Sequence, residues 1–312
     1  MWIDLLLLIG GGAFVWLGAE GIVTGAVKLA AYYGVSAMVV GLTVVAFGTS
    51  APELVVSSVA AFQGHNEIAL GNVLGSNIIN IALVLGLSAV IAPMVVTRET
   101  FRQDLPLVAV ITVLVVAMAI WGDDLNRFEG IVLLCVFAGY TVYTFIRAFN
   151  ENRRTTRLDT WERPELKAKH IMYLVGGIPV LALGAEGMVR GAVGIAETIG
   201  ISKQIIAMTM VAFGTSVPEL AASVVAARHG EGDLCVGNVL GSNLYNMSLI
   251  LGTAAAISPI PTIVTWMSMD IIFFVAAVLV LFPLMRIGWR VGRIDGIILL
   301  FLYVTSVLSL FI

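Results

Sequence analysis

Shifted by 166 residues, the chain aligns with itself without a gap over most of its length. GAEGIVTGAV at 18–27 meets GAEGMVRGAV at 184–193, and AFGTSAPEL at 46–54 meets AFGTSVPEL at 212–220. GNVLGSN at 71–77 meets an identical copy at 237–243, and EGIVLL at 129–134 meets DGIILL at 295–300. About half of the aligned pairs between 18 and 86 are identical, more than a shared apolar composition produces, so the chain reads as a duplication. Whatever it folds into must be built twice from one plan.

The plan depends on the solvent, and here composition decides. Apolar residues make up 59% of the chain and charged residues 12%, with a mean hydropathy of +1.01; soluble domains are roughly half apolar and a quarter charged. Runs long enough to cross about 30 Å of hydrocarbon as helix recur at 2–31, 37–62, 67–93, 104–121, 127–148, 170–198, 204–227, 233–258, 266–286 and 294–311. This pattern predicts an all-α polytopic membrane protein of about ten transmembrane helices. The first run, MWIDLLLLIGGGAFVWLG, has no basic leader or small-residue cleavage site and is expected to be a spanning helix, not a signal peptide. The expected organisation is a five-helix repeat over 1–148, a linker over 149–169 and a second five-helix repeat over 170–312. Five is odd, so the second repeat must enter the membrane from the opposite side, giving inverted topology.

Lysine and arginine in loops mark the cytoplasmic side. Lys28, Arg98, Arg102, the basic residues from Arg147 to Lys169, Arg228, Arg286, Arg290 and Arg293 fall on one face; Arg127 and Lys203 fall on the other, and Arg190 lies within a helix. The 147–169 loop is therefore expected to be cytoplasmic and both termini outside, with the chain multi-pass in the cell membrane. Acidic residues mixed into that loop favour a solvated linker over a lipid-headgroup or regulatory role. Cys135 and Cys235 sit in apolar surroundings with no partner at metal-ligand spacing and are expected to be buried and inert.

Against this background two carboxylates are expensive. A glutamate near the bilayer centre costs on the order of 3 kcal/mol on insertion scales and is functional by default, and both Glu53 and Glu219 follow a proline in an apolar run. Pro52 removes the N–H that would bond the Gly48 carbonyl and clashes with it, and Pro218 does the same to Gly214. Freed carbonyls at such depth are tolerated where they face protein or line a cavity. Helical spacing puts Thr49, Glu53 and Ser57 on one face with Ala46 and Ser50 beside them, and likewise Thr215, Glu219 and Ser223 with Ala212 and Ser216. Asn72, Ser76 and Asn80 form a second stripe, matched by Asn238, Ser242 and Asn246. Every group offered is oxygen, the ligand type of hard cations such as Ca²⁺ and Na⁺, and two carboxylates neutralise one divalent ion. Competing readings are a kink satisfied by local hydroxyls and Asn–Ser stripes acting as interhelical glue. Glu20 and Glu186 stand among Gly18, Gly21, Gly25 and Gly184, Gly187, Gly191, which read as a close-packing or sliding surface.

GTSAPEL with GNVLGSNIIN, and GTSVPEL with GNVLGSNLYN, resemble the two alpha repeats of the sodium/calcium exchanger family, in the cation/calcium antiporter superfamily. The motifs occupy 43–86 and 209–252, and the likeness extends over nearly the whole chain. The resemblance implies interrupted helices at a central ion site and a first and sixth helix that slide against a core. Carried over by position, it implies that Glu53 and Glu219 hold Ca²⁺ with help from Thr49 and Thr215. Ala46, Ser50, Ser76, Ala212, Ser216 and Ser242 would complete Na⁺ sites, with Asn80 and Asn246 central. Potassium-dependent members typically carry aspartate where this chain has Asn246, so the resemblance points to K⁺-independent, electrogenic Ca²⁺ extrusion driven by Na⁺. H⁺-coupled exchange of Ca²⁺ or another divalent cation is the alternative, ahead of a Ca²⁺-selective channel. An intramembrane hydrolase has no histidine near the motifs, since His65, His170 and His229 fall at expected loop edges. Neither enzymatic activity, a cofactor, nucleic acid nor a protein partner is implied: the expected ligands are the transported ions, the surroundings are lipid, and a monomer suffices.

Overall fold

Each hairpin of the expected core closes on a glycine: Gly64 (φ 79°) and its repeat counterpart Gly230 (φ 78°) turn the backbone through the left-handed region that side chains avoid. The computed structural model describes residues 2–121, 124–156, 164–198, 213–261 and 264–309; Lys203, Ala212 and most of the expected 204–227 span's first half lie outside them. The helices are α1 Trp2–Tyr33, α2 Ala37–Thr49, α3 Ala51–Phe62, α4 Asn66–Ile91, α5 Thr100–Ile120, α6 Arg127–Thr156, α7 Ala168–Thr198, α8 Val217–Arg228, α9 Gly232–Ile257, α10 Val264–Arg286 and α11 Arg293–Ser309. At 1.5 Å per residue α1 is about 48 Å long, more than the hydrocarbon requires. Helices α2 and α3 form one span broken by a 47° bend at Ser50.

Four two-residue strands make two small antiparallel ribbons, and they reveal the topology. β1 Met94–Val95 pairs with β4 Arg290–Val291, and β2 Asp124–Leu125 pairs with β3 Ile260–Pro261. β1 precedes α5 and β2 follows it, so the ribbons sit at opposite ends of that helix. Positions 94–95 and 260–261 correspond in the repeat, so equivalent segments lie on opposite faces of the molecule. The two repeats are inverted.

Burial sorts the helices into a core and a wall. In α9, 94% of the most apolar stretch is buried, and in α4 72%, against 33% in α1, 28% in α7 and 17% in α6. The wall helices α1 and α7 lie antiparallel along a seam of glycines. A Cβ at Gly18 would stand 2.6 Å from the Leu181 nitrogen and 2.8 Å from the Gly177 oxygen; one at Gly184 would stand 2.8 Å from the Gly11 oxygen. Those distances are below any real Cβ contact, so only glycine lets these backbones meet.

Among the described residues the two wall helices meet the core differently. α1 lies along α8, where Glu20 is 3.1 Å from His229 and the Arg228 guanidinium sits 4.8 Å from the Trp16 ring centroid. Its counterpart α7 barely meets α3, and Glu186 instead pairs with Arg190 on its own helix at 2.6 Å.

Two sequence expectations change. Helix α6 runs on to Thr156, beyond 148 and into the expected linker, because its polar end is anchored. Glu151 accepts from the Ser36 N–H (2.8 Å), Asn152 donates to the Tyr33 carbonyl, and Arg147 pairs with Asp104 (2.7 Å). Cys235 is buried, but Cys135 is exposed: apolar neighbours along a wall helix mean lipid contact, not protein interior. His170 stands at the loop edge, in the first turn of α7, and is buried.

Candidate cation-binding site

Proline sets the local geometry. Pro52 and Pro218 occupy the first turns of α3 and α8, where a missing N–H costs nothing. The residues before those helices leave helical geometry, Ser50 at φ −81°, ψ 6° and Ser216 at φ −88°, ψ 1°. Glu53 and Glu219 therefore stand in the first turn of a helix, where the backbone dipole favours an anion. Both carboxylates are fully buried.

The serine freed at each break caps nothing in its own helix and reaches the opposite repeat. Ser50 Oγ donates to Glu219 Oε1 at 2.8 Å, and Ser216 Oγ to Glu53 Oε1 at 3.4 Å. The threonines cross over as well, Thr49 Oγ1 to Asn238 Oδ1 at 3.2 Å and Thr215 Oγ1 to Asn72 Oδ1 at 3.1 Å. Within each repeat the same asparagines donate to serine, Asn72 to Ser57 at 2.9 Å and Asn238 to Ser223 at 3.0 Å. Close approach of α2 and α9 permits this: a Cβ on Gly237 would lie 2.6 Å from the Met38 oxygen, and one on Gly241 2.8 Å from Ala46 Cβ.

Paired and unpaired asparagines separate within one stripe. Asn72 and Asn238 use both ends of their amides on neighbouring side chains, as interhelical glue. Asn80 and Asn246, two turns on, are fully buried and have no partner at either end, and the Ser76 and Ser242 hydroxyls are likewise unmet. Glu53 Oε2 and Glu219 Oε2 are the remaining orphan oxygens on the two central carboxylates. Asn80 lies in a π-helical stretch, Ile79–Leu85, that packs against α8 and α9, and Asn246 opens another, Asn246–Ile250, against α3 and α4. Ala46 is buried at the α2–α9 crossing, its carbonyl accepting the Ser50 N–H (3.0 Å) and the Thr49 hydroxyl (3.3 Å). Of the residues proposed from the sequence as ion ligands, Ala212 falls outside the described residues.

Asn77 and Asn243 were legible only as letters of the repeated GNVLGSN. Each donates its amide to the carbonyl one turn back, Val73 at 2.7 Å and Val239 at 2.8 Å, leaving Oδ1 buried and unpaired. The buried interior thus holds several partnerless oxygens, with a formal charge of −2 from Glu53 and Glu219. Among the described residues no group of three or more His, Cys, Asp or Glu side chains is placed to hold a metal ion. Buried polar groups without partners are rare in proteins, and an all-oxygen set of this charge suits a hard cation entering a dry interior. Glu20 and Glu186 take no part in it: they face the α8 end and Arg190 on partly exposed surfaces.

The family model described as sodium/calcium exchanger protein matches the chain twice, over residues 3–146 and 169–312. A putative antiporter, CaxA, from Alkalimonas amylolytica is 36% identical, the alignment covering 96% of each chain. The sodium/calcium exchanger MaX1 from Methanosarcina acetivorans is 31% identical over 99% of each. Among solved structures, the sodium-calcium exchanger NCX_Mj superposes with a TM-score of 0.83 at 31% identity, covering 99% of this chain and 98% of that one.

Proposed function

The chain belongs to the sodium/calcium exchanger family, a family of cation/Ca²⁺ antiporters, and from this premise we propose that it exchanges Na⁺ for Ca²⁺ across the cell membrane by alternating access. The observation that carries the reading is the crossed pair of carboxylates: Glu53 and Glu219 are buried, each is held by a serine of the other repeat, and each keeps one oxygen unmet. In this reading the two glutamates, with Thr49 and Thr215, hold Ca²⁺. Ser50, Ser76, Ser216 and Ser242, with Ala46, Ala212, Asn80 and Asn246, offer the further oxygens that Na⁺ uses. Because the same carboxylates serve both ions, Na⁺ occupancy displaces Ca²⁺, and antiport follows from competition for one site.

Charge bears on the coupling. Asn246 is neutral and so is Asn80, so no third carboxylate supports a K⁺ site, and we assign K⁺-independent exchange. Three Na⁺ against one Ca²⁺ would move one net charge per cycle, worth about 2.3 kcal/mol per 100 mV, so a negative interior drives Ca²⁺ outward. The test is ⁴⁵Ca²⁺ uptake into proteoliposomes preloaded with Na⁺, alongside vesicles preloaded with K⁺ under an imposed pH gradient. Uptake that requires the outward Na⁺ gradient and responds to clamped voltage is expected. Uptake that ignores Na⁺ and follows the proton gradient would assign H⁺-coupled exchange instead.

A further inference from the structure

The inverted repeat builds its ribbon twice, which supplies an internal control for what the ribbon needs. β2 and β3 pair using Asp124, Leu125, Ile260 and Pro261, with a single arginine nearby, Arg127, whose guanidinium donates to the Ile257 carbonyl at 3.4 Å. At the opposite face the corresponding positions are heavily basic. Arg290 stands where β2 has Asp124, Arg286 where the first repeat has Ile120, and Arg98 and Arg102 where the second has Val264 and Ser268. Only Arg293 has a basic counterpart, Arg127. Since β2–β3 forms without this dressing, pairing of β1 with β4 does not explain it.

The arginines are organised around Trp289. This bulky residue is held at φ 53°, a conformation that persists only where its surroundings enforce it. Its carbonyl accepts the Val96 N–H at 2.9 Å, and its ring meets Phe101 edge-on at 5.6 Å. The guanidiniums of Arg98 and Arg286 lie 5.3 and 4.8 Å from the ring centroid. Nearby carboxylates are engaged elsewhere, Glu99 toward Arg147 at 3.5 Å and Asp295 with the Gly292 N–H at 2.7 Å. Among the described residues no carboxylate pairs with Arg98, Arg102, Arg286, Arg290 or Arg293. Guanidiniums stacked on an aromatic face keep their N–H edges free for bidentate contact with phosphate.

Position selects the source of that phosphate. The ribbon joins the ends of α4 and α10 to the starts of α5 and α11, at the rim of the membrane-spanning region, and Val95, Ile287 and Ile294 beside it are 70–75% exposed. We propose that the Trp289 platform, with Arg98 and Arg286, binds the phosphate of an anionic phospholipid in the adjoining leaflet, the apolar neighbours receiving its glycerol and upper acyl region. The ribbon is shared by both repeats, so a bound lipid would tie the start of α5 to the end of α10.

Native mass spectrometry of delipidated protein titrated with phosphatidylglycerol or phosphatidylcholine tests the site. Wild-type protein is expected to retain phosphatidylglycerol over phosphatidylcholine by about fivefold or more. Arg98→Gln with Arg286→Gln should erase that preference, while Arg127→Gln at the other ribbon should leave it unchanged. Arg98→Lys with Arg286→Lys keeps the charge but not the planar fork, so it should lose most of the preference, and it carries the test should the glutamine variant fail to fold. Full retention by the lysine variant would mean diffuse charge alone and would overturn the proposal, as would equal retention of the two lipids by wild-type protein. Displacement of phosphatidylglycerol by millimolar inorganic phosphate would assign the site to a free anion instead.

Discussion

At Glu53 and Glu219 the isosteric amide is the informative change. Glutamine keeps the shape and can still accept from Ser216 or Ser50, but removes the charge that a cation must find in a dry interior. Glu53→Gln and Glu219→Gln are each expected to abolish Na⁺-dependent Ca²⁺ flux while leaving thermal unfolding within a few degrees of wild type; wild-type flux in either would remove the glutamate from the site. These two residues were legible in the sequence because a carboxylate in an apolar run needs a reason. The asparagines were less so. Asn72 and Asn80 occupy one helical stripe, and spacing cannot tell the paired amide from the unpaired one, because the difference lies in Ser57 and Thr215 on other helices. Asn77 is off that stripe, and its orphan oxygen follows from a bond to its own backbone at Val73.

Among the helices, breaks caused by proline could be foreseen and widenings could not. Pro52 announces the bend at Ser50, whereas nothing in Ile79–Leu85 distinguishes a π-helical stretch from ordinary apolar helix. Among the described residues two of the four π-helical stretches contain Asn80 and Asn246, while the others, Gly41–Val45 and Thr100–Asp104, lie in α2 and at the start of α5. The glycine seam between α1 and α7 was legible as small residues at helical spacing, though not its partner. Gly184→Leu places atoms where the Gly11 oxygen and Phe14 Cβ already stand, so it should destabilise the protein by about 1–3 kcal/mol, seen as a lower denaturant midpoint together with reduced flux. The one-sided contact of α1 with α8 makes a different prediction. The positions corresponding to Trp16, Arg228 and His229 are Ala182, Phe62 and Gln63, so the opposite face has no such clamp. In the proposed cycle, Trp16→Ala with Glu20→Gln should shift the ratio of fluxes measured in right-side-out and inside-out vesicles while equilibrium ⁴⁵Ca²⁺ binding stays within about twofold of wild type, since a distant surface pair leaves the site's own contacts intact. An unchanged ratio would reduce the clamp to surface packing.

For the molecule as a whole, inversion was legible from arithmetic: a duplicated unit with an odd number of spans has no other way to cross a bilayer. Exposure was harder, as Cys135 shows, because a hydrophobic helix face looks the same whether lipid or protein covers it. Orientation rests on the arginine-rich face. In a background lacking Cys135 and Cys235, a membrane-impermeant maleimide should label His65→Cys from outside intact cells and Asn152→Cys only after permeabilisation; the reverse pattern would invert the assignment. The hydroxyls that cross between repeats carry a further consequence for descent. Neither half owns a whole site, since each glutamate is held by the other half's serine. An ancestor one repeat long could have assembled this chemistry only as a pair of copies inserted in opposite directions. Within one chain the two halves are free to differ, as the arginines at one ribbon and not at its twin show.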